Sequence, residues 1–137
     1  KKIDKRARKF LKQDNLDYAH GTGHGVGFFL NVHEGPQSIS KINKVKIKEG
    51  MILSNEPGYY KKGKFGIRIE NLVYVKKNKR ELFFENLTMV PIEKDLINFK
   101  LLSTAEKNYL FQYHLNVYAK ISKYLSLNEK KWLASFI

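Results

Sequence analysis

The chain has 137 residues, with 26 basic and 13 acidic side chains and a formal net charge of +13. This length predicts one domain, and a hydrophobic fraction of 42% is typical of a globular protein. The absence of cysteine excludes disulfides, thiolate metal sites and a cysteine nucleophile. No apolar run reaches the roughly 20 residues that cross a bilayer, and the basic first residues lack the apolar core of a secretory signal.

The first predicted element is a helix in the segment IDKRARKFLKQ. Its apolar residues Ile3, Ala7, Phe10 and Leu11 recur at helical spacing, so we expect them to face the core while the basic residues face solvent. The chain does not begin with methionine, and we expect it to start partway through a longer protein.

The middle of the chain predicts a run of antiparallel strands with short connections. GVGFFLNVH is β-branched and aromatic and predicts a strand after a glycine-rich entry. MILSNEPG predicts a buried strand that stops at the Pro57-Gly58 turn signal. FGIRIENLVYV predicts one strand with Arg68 and Glu70 on the same face, and LFFENLTMVPI predicts another.

The C-terminal third predicts two helices, each opened by a capping box. Ser103 and Glu106 precede a long segment with helical periodicity, and Ser126 and Glu129 open a short last helix through Trp132. The repeating apolar residues of the long helix are Leu110, Tyr113, Val117, Ile121 and Leu125. The order of helix, strands and helices predicts an α+β fold with an antiparallel sheet flanked by helices.

The positive charge has two interpretations. Lysines are spread over KINKVKIKEG, YYKKGK and VKKNKREL, which favours a solvated surface. A strongly basic chain also favours acidic partners, so nucleic-acid binding is the alternative. The sequence matches no helix-turn-helix, ribonucleoprotein or zinc-finger motif.

Three of the four histidines lie in HGTGHGVGFFLNVHE, between glycines. His20 and His24 have the spacing of zinc-binding helices, but the Gly-Thr-Gly between them disfavours a helix. We expect a loop or strand entry, whose glycines let the backbone pass close to a ligand or a second chain segment. The glycine spacing differs from the dinucleotide motif, and the lack of a following GK[ST] argues against a phosphate cradle.

Two carboxylates stand in unusual positions. Glu56 precedes Pro57 at the end of a predicted buried strand. Glu70 lies in an apolar strand, where an acid is costly unless it is paired or binds a metal. An ion pair with Arg68 is one explanation. The other combines both glutamates with an imidazole from the glycine-rich segment, a ligand set suited to Mn²⁺, Co²⁺ or Zn²⁺. Bridging carboxylates would suit two ions that activate a water.

Three motifs in this order resemble the signatures of the Xaa-Pro aminopeptidase (aminopeptidase P) family: HGTGHGVGFFLNVHEGP, EGMILSNEPGYY and FGIRIENLVYV. That family belongs to the pita-bread metallopeptidases, with prolidase, methionine aminopeptidase and creatinase. LTMVPI and LLSTAEKNYLFQYH resemble the end of the long-form enzymes. The resemblance covers nearly the whole chain and implies that residues 1–137 are the C-terminal segment of one catalytic domain, without its upstream half.

The resemblance implies three metal ligands. His24 is similar to the family's single histidine ligand, Glu56 to a carboxylate ligand that also shuttles protons, and Glu70 to the carboxylate that bridges both ions. The family has two further aspartate ligands upstream, and Asp14 and Asp17 lack matching surroundings and are not assigned. We therefore expect two divalent ions, with Mn²⁺ ahead of Co²⁺ and Zn²⁺, in a site that this chain completes only in part.

The resemblance also implies residues that act around the substrate. His20 is similar to a histidine beside the substrate pocket, and His33 to one that hydrogen-bonds the substrate near the scissile bond. Arg68 is similar to the arginine that supports the bridging glutamate, so His33, Glu56 and Arg68 form the expected catalytic set. His114 matches no motif, and we interpret it as structural or surface.

The implied activity is that of a cytoplasmic aminopeptidase that releases an N-terminal residue linked to proline. A hydroxide held between two metals would attack the peptide carbonyl. The expected partners are peptides with proline in the second position and a second copy of the full-length protein, with no membrane or nucleic acid. We expect the 137-residue segment alone to be inactive. The alternatives are a prolidase-type dipeptidase and a non-catalytic pita-bread adaptor that binds peptide or RNA.

Overall fold

The computed structural model describes residues 1–29 and 31–137. The chain divides into two compact units, Lys1–Thr88 and Met89–Ile137. The elements of the first unit are α1 (Lys2–Ala7), α2 (Lys9–Gln13), β1 (Gly23–His24), β2 (Ser38–Ile39), β3 (Ile52–Asn55), β4 (Gly58–Lys61), β5 (Phe65–Arg68), β6 (Asn71–Asn78) and β7 (Glu81–Asn86). Those of the second unit are α3 (Thr104–Ile121) and α4 (Leu127–Ala134), with single 3-10 turns at Lys94–Leu96 and Ser122–Tyr124.

The N-terminal helix is split in two and buries charge instead of the predicted apolar face. The break between α1 and α2 lies at Arg8. Asp4 and Arg8 are buried, whereas Ile3 and Phe10 are 38% and 62% exposed. The predicted orientation is wrong for Ile3 and Phe10, whereas Ala7 and Leu11 are half-buried. Arg8 instead finds hydrogen-bond partners inside the unit, and apolar periodicity carries no information about such partners.

The strands of the first unit form three small antiparallel sheets, β1–β2, β3–β6–β7 and β4–β5. Strand β6 lies in the middle of the three-stranded sheet, with Leu53 of β3 opposite its Val73. Val73 and Val75 alternate with more exposed residues and pack with Leu53 and Ile39 in the core. Burial of one face of β6 positions the strand ends that carry the acidic residues discussed below.

The segment FGIRIENLVYV is two strands, so the prediction of one strand is wrong. Strand β5 pairs with β4 in a hairpin, with Gly58 opposite Arg68, whereas β6 begins at Asn71 and pairs with β3 and β7. Glu70 therefore lies at the junction of two sheets. Alternation alone shows which residues share a face and does not show which partner each half takes.

The predicted strand GVGFFLNVH is mostly a loop. Among the described residues of this segment, Gly25 alone forms a β-bridge. The amide of Gly27 donates to the carbonyl of Asn31, which closes a turn. Phe28 is fully exposed and Phe29 is 83% exposed, while Leu30 lies outside the described residues. The strand prediction fails here because β-propensity reflects packing against neighbours, which these rings lack. The predicted strand LFFENLTMVPI is shorter than expected, because β7 ends at Asn86.

Both predicted capping boxes are present in the second unit. Ser103 Oγ accepts the N–H of Glu106 at 3.3 Å, and the Glu106 carboxylate accepts the N–H of Ser103 at 2.8 Å. Ser126 and Glu129 repeat this arrangement at the start of α4, which continues beyond the predicted Trp132. The core of the unit consists of Tyr113, Val117 and Leu133 with their apolar neighbours. In the described part of the chain, no helix combines the length and apolar character that crossing a bilayer requires.

His114 is buried in the second unit, with 3% of its surface exposed. Its Nε2 accepts the N–H of Ile92 at 3.0 Å, and its Nδ1 lies 2.8 Å from the carbonyl oxygen of Phe136. Because that carbonyl can only accept, Nδ1 carries the proton. His114 therefore connects α3 to segments on either side of it in the sequence. The structural interpretation is confirmed, and the surface interpretation is wrong.

Candidate metal centre

Three strand ends of the first unit bring a histidine and two glutamates together. His24 lies in β1, Glu56 follows β3, and Glu70 precedes β6. One ligand atom of each residue lies within 4.8 Å of the corresponding atoms of the other two. The amide of Glu56 donates to the carbonyl of Thr22 at 2.8 Å, which ties the end of β3 to the start of β1. Residues far apart in the sequence thus meet at one point.

The hydrogen bonds of His24 leave a lone pair available for a metal. Its Nδ1 lies 2.9 Å from the carbonyl oxygen of Gly25, so Nδ1 carries the proton and Nε2 of the neutral ring is an electron-pair donor. That Nε2 lies 3.5 Å from Oε1 of Glu56. With the ring neutral, these two atoms are electron-pair donors that face one another and fit a cation between them, and the nitrogen-oxygen ligand set fits a divalent transition metal.

The carboxylate of Glu56 is held at both oxygens. Ser54 Oγ donates to Oε1 at 3.0 Å, and Arg68 Nη1 donates to Oε2 at 3.0 Å. Ser54 is fully buried, and its Oγ also accepts the backbone N–H of His24 at 2.9 Å. One hydroxyl therefore connects two of the three candidate ligands. Such hydrogen bonds orient ligands before a metal arrives.

Arg68 pairs with Glu56 and not with Glu70, so the simple ion-pair explanation of Glu70 is wrong. The guanidinium Nε of Arg68 also donates to the hydroxyl of Tyr60 at 2.7 Å. This hydrogen bond, with smaller contributions from the charges of Glu56 and Glu70, raises the pKa of Arg68 above its ordinary value. Arg68 therefore supplies a constant positive charge beside the glutamates.

A hydrogen-bonded chain links Arg68 to His20 through Tyr60. The Nδ1 atom of His20 lies 2.7 Å from the carbonyl oxygen of Gly21, which assigns the proton to Nδ1. Its Nε2 lies 2.8 Å from the Tyr60 hydroxyl, and in the neutral ring Nε2 accepts a hydrogen bond from that hydroxyl. Sequence reasoning missed Tyr60. The available signal was its position four residues after Glu56 within NEPGYY, but which tyrosine faces the site depends on the β4–β5 register.

His33 lies against His24, the candidate histidine ligand. The ring centroids of His33 and His24 are 4.1 Å apart, with the planes tilted by 41°, and His33 is exposed. The structure thus places every predicted site residue in one region of the first unit. These residues are His20, His24, His33, Glu56, Arg68 and Glu70.

The glycines at this site leave room for neighbouring backbone. A Cβ atom on Gly23 would lie 1.9 Å from the carbonyl oxygen of Ser54, and one on Gly25 would lie 2.0 Å from that of Glu34. A side chain on Gly23 would push apart β1 and β3, which lead to His24 and Glu56, and one on Gly25 would displace the loop at Glu34. Of the two uses expected for these glycines, the structure supports the close approach of a second chain segment at Gly23 and Gly25. Room for a substrate stays a prediction.

Two family profiles match this chain. The profile of metallopeptidase family M24 matches residues 1–77, and that of the C-terminal region of peptidase M24 matches residues 81–135. The chain belongs to metallopeptidase family M24. The boundary between the matched regions lies close to the boundary between the two compact units.

Individual relatives agree with the resemblance seen in the motifs. The chain is 51% identical over 142 residues to a probable Xaa-Pro aminopeptidase P of Coprinopsis cinerea, a match that covers 96% of this chain and 23% of the relative. The chain thus spans less than a quarter of the length of that relative.

Solved structures of this family share the fold. The crystal structure of X-prolyl aminopeptidase from Caenorhabditis elegans matches 98% of this chain and 24% of its own, with 39% identity and a TM-score of 0.91. Prolidase from Pyrococcus furiosus matches 60% of this chain and 23% of its own, with 36% identity and a TM-score of 0.52. The predicted α+β pita-bread fold is confirmed.

Proposed function

We propose that this chain is the C-terminal segment of the catalytic domain of a metal-dependent aminopeptidase that releases an N-terminal residue linked to proline. The observation that carries the proposal is the convergence of His24, Glu56 and Glu70 within 4.8 Å. Membership of the M24 family supports peptide hydrolysis. The names of the Coprinopsis and Caenorhabditis relatives support proline in the second position of the substrate.

His24, Glu56 and Glu70 would hold the metal in this segment. The Caenorhabditis enzyme is described as having a di-nuclear active site, which supports two ions, and the ligand set favours Mn²⁺, with Co²⁺ or Zn²⁺ as alternatives. When bound, such ions supply Lewis-acid polarisation and lower the pKa of water. Three side chains are few for two ions, so we expect the 137 residues alone to bind metal weakly and to lack peptidase activity.

Within the catalytic set, we assign proton transfer to Glu56. The hydrogen bonds from Ser54 and Arg68 fix the orientation of its carboxylate and keep Oε1 toward His24. A carboxylate in a fixed position can accept a proton from an attacking water and return it to the leaving amine. Arg68 acts through this carboxylate, because its guanidinium binds Glu56 directly.

Two histidines are assigned to the substrate. His33 is exposed and lies against the His24 ring, so an N–H of its imidazole is available to the substrate carbonyl. Both ring nitrogens of His20 already have partners, Gly21 and Tyr60. We therefore propose that His20 forms a wall of the substrate pocket through its ring face.

We infer the cellular location of the whole enzyme from a relative. We propose a cytoplasmic enzyme, because the Caenorhabditis enzyme is described as cytosolic. We also propose that the full-length protein is a homodimer, which sedimentation of that protein would test.

Prolidase is the second candidate function because of the similarity to the Pyrococcus enzyme. The Caenorhabditis aminopeptidase is favoured because it matches both compact units.

A chimera tests the proposed activity. This chain would replace the matching quarter of the Caenorhabditis enzyme, whose fold it shares. We expect the chimera to release the first residue from longer peptides with proline second, to lose activity with a chelator, and to be inactive as the His24→Ala variant. Cleavage of dipeptides alone would favour prolidase. A folded, inactive chimera that binds RNA without metal, and less at high salt, would favour the adaptor.

A further inference from the structure

We propose that Arg8 is a positioning residue for the metal centre, and that its buried pair with Asp4 sets the places of His20 and Glu56. The Arg8 network lies outside the predicted site and consists of Asp4, Arg8, Asp17, Tyr18 and Thr22. The effect of this network on catalysis rests on the proposed function. Its effect on the positions of His20 and Glu56 does not, and separate experiments test the two effects.

The guanidinium of Arg8 binds two carboxylates and two main-chain carbonyls. Its Nε donates to Asp4 Oδ1 at 3.0 Å, and its Nη1 donates at 2.7 Å both to Asp17 Oδ1 and to the carbonyl of Tyr18. Its Nη2 donates to the carbonyl of His20 at 2.7 Å. The guanidinium carbon also lies 3.8 Å from the centre of the Tyr18 ring. One buried side chain therefore fixes the backbone that leads into His20.

A second set of contacts runs from Asp4 to Glu56. The Oγ1 of Thr22 donates to Asp4 Oδ1 at 2.8 Å, and the hydroxyl of Tyr18 lies 2.6 Å from Thr22 Oγ1. Thr22 is fully buried, and its carbonyl accepts the N–H of Glu56 at 2.8 Å. Asp4 thus orients Thr22 through its side chain, and Thr22 places the Glu56 backbone through its carbonyl.

Packing alone does not account for this arrangement. A buried ion pair commonly contributes no more stability than apolar residues of similar volume. The exposed Ile3 and Phe10 show that α1 and α2 turn apolar surface outward while burying Asp4 and Arg8. Although burial acts to lower the pKa of Arg8, the hydrogen bonds to Asp17 and Asp4 outweigh it and raise that pKa. The charged pair is therefore maintained, and two of its contacts, the Arg8 bond to the His20 carbonyl and the Asp4 bond to Thr22, lead toward the candidate metal centre.

Lysine cannot replace this geometry. Arg8 reaches its four partners through three nitrogens held in one plane, whereas lysine has a single ammonium on a flexible stem. A misplacement of about 1 Å in a catalytic arrangement can reduce the rate by about 100-fold. Arg8→Lys therefore removes the planar arrangement of hydrogen-bond donors while it keeps the positive charge. Arg6→Lys makes the same change on the exposed face of α1 and is the matched control.

Amide hydrogen exchange of the metal-free chain measures the geometric role. The Glu56 amide is bonded to Thr22, whereas the Val75 amide is bonded to the Met51 carbonyl at 2.9 Å within the same unit. We expect Arg8→Lys to accelerate exchange at Glu56 by about tenfold or more and at Val75 by less than about twofold. Arg6→Lys should change neither amide. The ¹⁵N signals of the His20 ring should lose their single protonated-Nδ1 pattern in Arg8→Lys alone.

Equal acceleration at both amides would mean that Arg8 only stabilises the fold, and it would overturn the proposal. No acceleration at Glu56 would overturn it as well. If Arg8→Lys does not fold, Thr22→Val tests one arm of the network. That variant should accelerate exchange at Glu56 while the His20 signals stay unchanged, because the Arg8 bond to the His20 carbonyl remains. Unchanged exchange at Glu56 in Thr22→Val would again contradict the proposal.

Co²⁺ titration of the same variants separates the two proposals. We expect Arg8→Lys to weaken Co²⁺ binding by about fivefold or more relative to Arg6→Lys, since its ligands are less well placed. Equal Co²⁺ affinities in the two variants would contradict the consequence for the metal centre. If the unaltered chain binds no Co²⁺, the proposed metal centre is wrong, and the exchange rates still decide whether Arg8 positions Glu56.

Discussion

The Nε2 atom of His24 lies 3.5 Å from Oε1 of Glu56, although 32 positions separate the two residues in the numbering, 24 and 56. The buried hydroxyl of Ser54 connects them, because it accepts the His24 N–H and donates to Glu56. The relative position of two candidate ligands therefore depends on a residue that carries no ligand atom itself.

Ser54→Ala should weaken metal binding and lower stability. The change leaves the His24 N–H without its acceptor and frees one Glu56 oxygen. We expect a loss of about 2 kcal/mol in the free energy of unfolding, as for a buried donor left unpaired. Co²⁺ affinity should fall by about fivefold or more, measured by calorimetry. Ser40→Ala is the control, because Ser40 accepts the N–H of Asn43 and touches none of the candidate ligands. Equal Co²⁺ affinities in the two variants would contradict the role of Ser54.

Tyr60→Phe should disturb His20 while the fold is retained. The hydroxyl accepts from Arg68 and lies 2.8 Å from the His20 ring, so its removal breaks the link between them. We expect kcat/KM of the chimera to fall by about tenfold, the loss typical of misplaced catalytic groups. Tyr59→Phe is the matched control in the same strand, because its ring packs against Phe65. Unaltered kcat/KM in Tyr60→Phe would show that this hydrogen-bonded chain is dispensable.

Asp17→Asn should make stability less sensitive to acid. Hydrogen bonds from Lys12 first and then Arg8 hold the pKa of Asp17 well below its usual range. A carboxylate with a depressed folded-state pKa contributes stability above its unfolded pKa of about 3.9, and that contribution is lost as the pH falls through the folded-state value. Because Lys12 and Lys41 are exposed, we expect the free energy of unfolding of the wild type to exceed that of Asp17→Asn by only about 1 kcal/mol at neutral pH.

This difference in the free energy of unfolding between the wild type and Asp17→Asn should become smaller as the pH falls below about 4. Urea unfolding at a series of pH values measures it, and Asp14→Asn, a change at an exposed acid in the same region, is the control. A difference between the wild type and Asp17→Asn that grew on acidification would have the wrong sign for this account.

His114→Ala should destabilise the second unit and leave metal binding unchanged. The substitution strips partners from the Ile92 N–H and the Phe136 carbonyl and opens a cavity in the helical core. We expect a loss of about 3 kcal/mol in the free energy of unfolding. The fluorescence of Trp132, the chain's one tryptophan, reports on this unit. Asn108→Ala is the control on the same helix. A loss as small as that of Asn108→Ala would contradict the structural role of His114.

The sequence predicted the candidate ligands better than the parts that hold them. His24, Glu56 and Glu70 stand in motifs with unusual local composition: a histidine among glycines, an acid at a predicted strand end and an acid within a predicted apolar strand. Such signals can be recognised without knowledge of the fold. Ser54 and Tyr60 look ordinary in the sequence. Their roles depend on the pairing of β3 with β6 and of β4 with β5, which local patterns do not specify.

The helices show the same difference between local and non-local information. The capping boxes at Ser103 and Ser126 were predicted because all their partners lie within four residues. The buried face of α1 was predicted wrongly, because Arg8 takes partners up to 12 residues away. Hydrophobic periodicity could not indicate a helix that buries a charged pair.

The most direct test of the metal centre is Mn²⁺ titration of the ¹⁵N-labelled chain, followed through its four histidine ring signals. Bound Mn²⁺ broadens the signals of nearby nuclei. We predict that the ring signal of His24 broadens first, followed by those of His33 and His20. Ala substitution of Glu56 or Glu70 should raise the Mn²⁺ concentration that this broadening requires. If the ring signal of His20 or His33 broadened before that of His24, or if no ring signal changed, the chain would not hold a metal where its ligands converge.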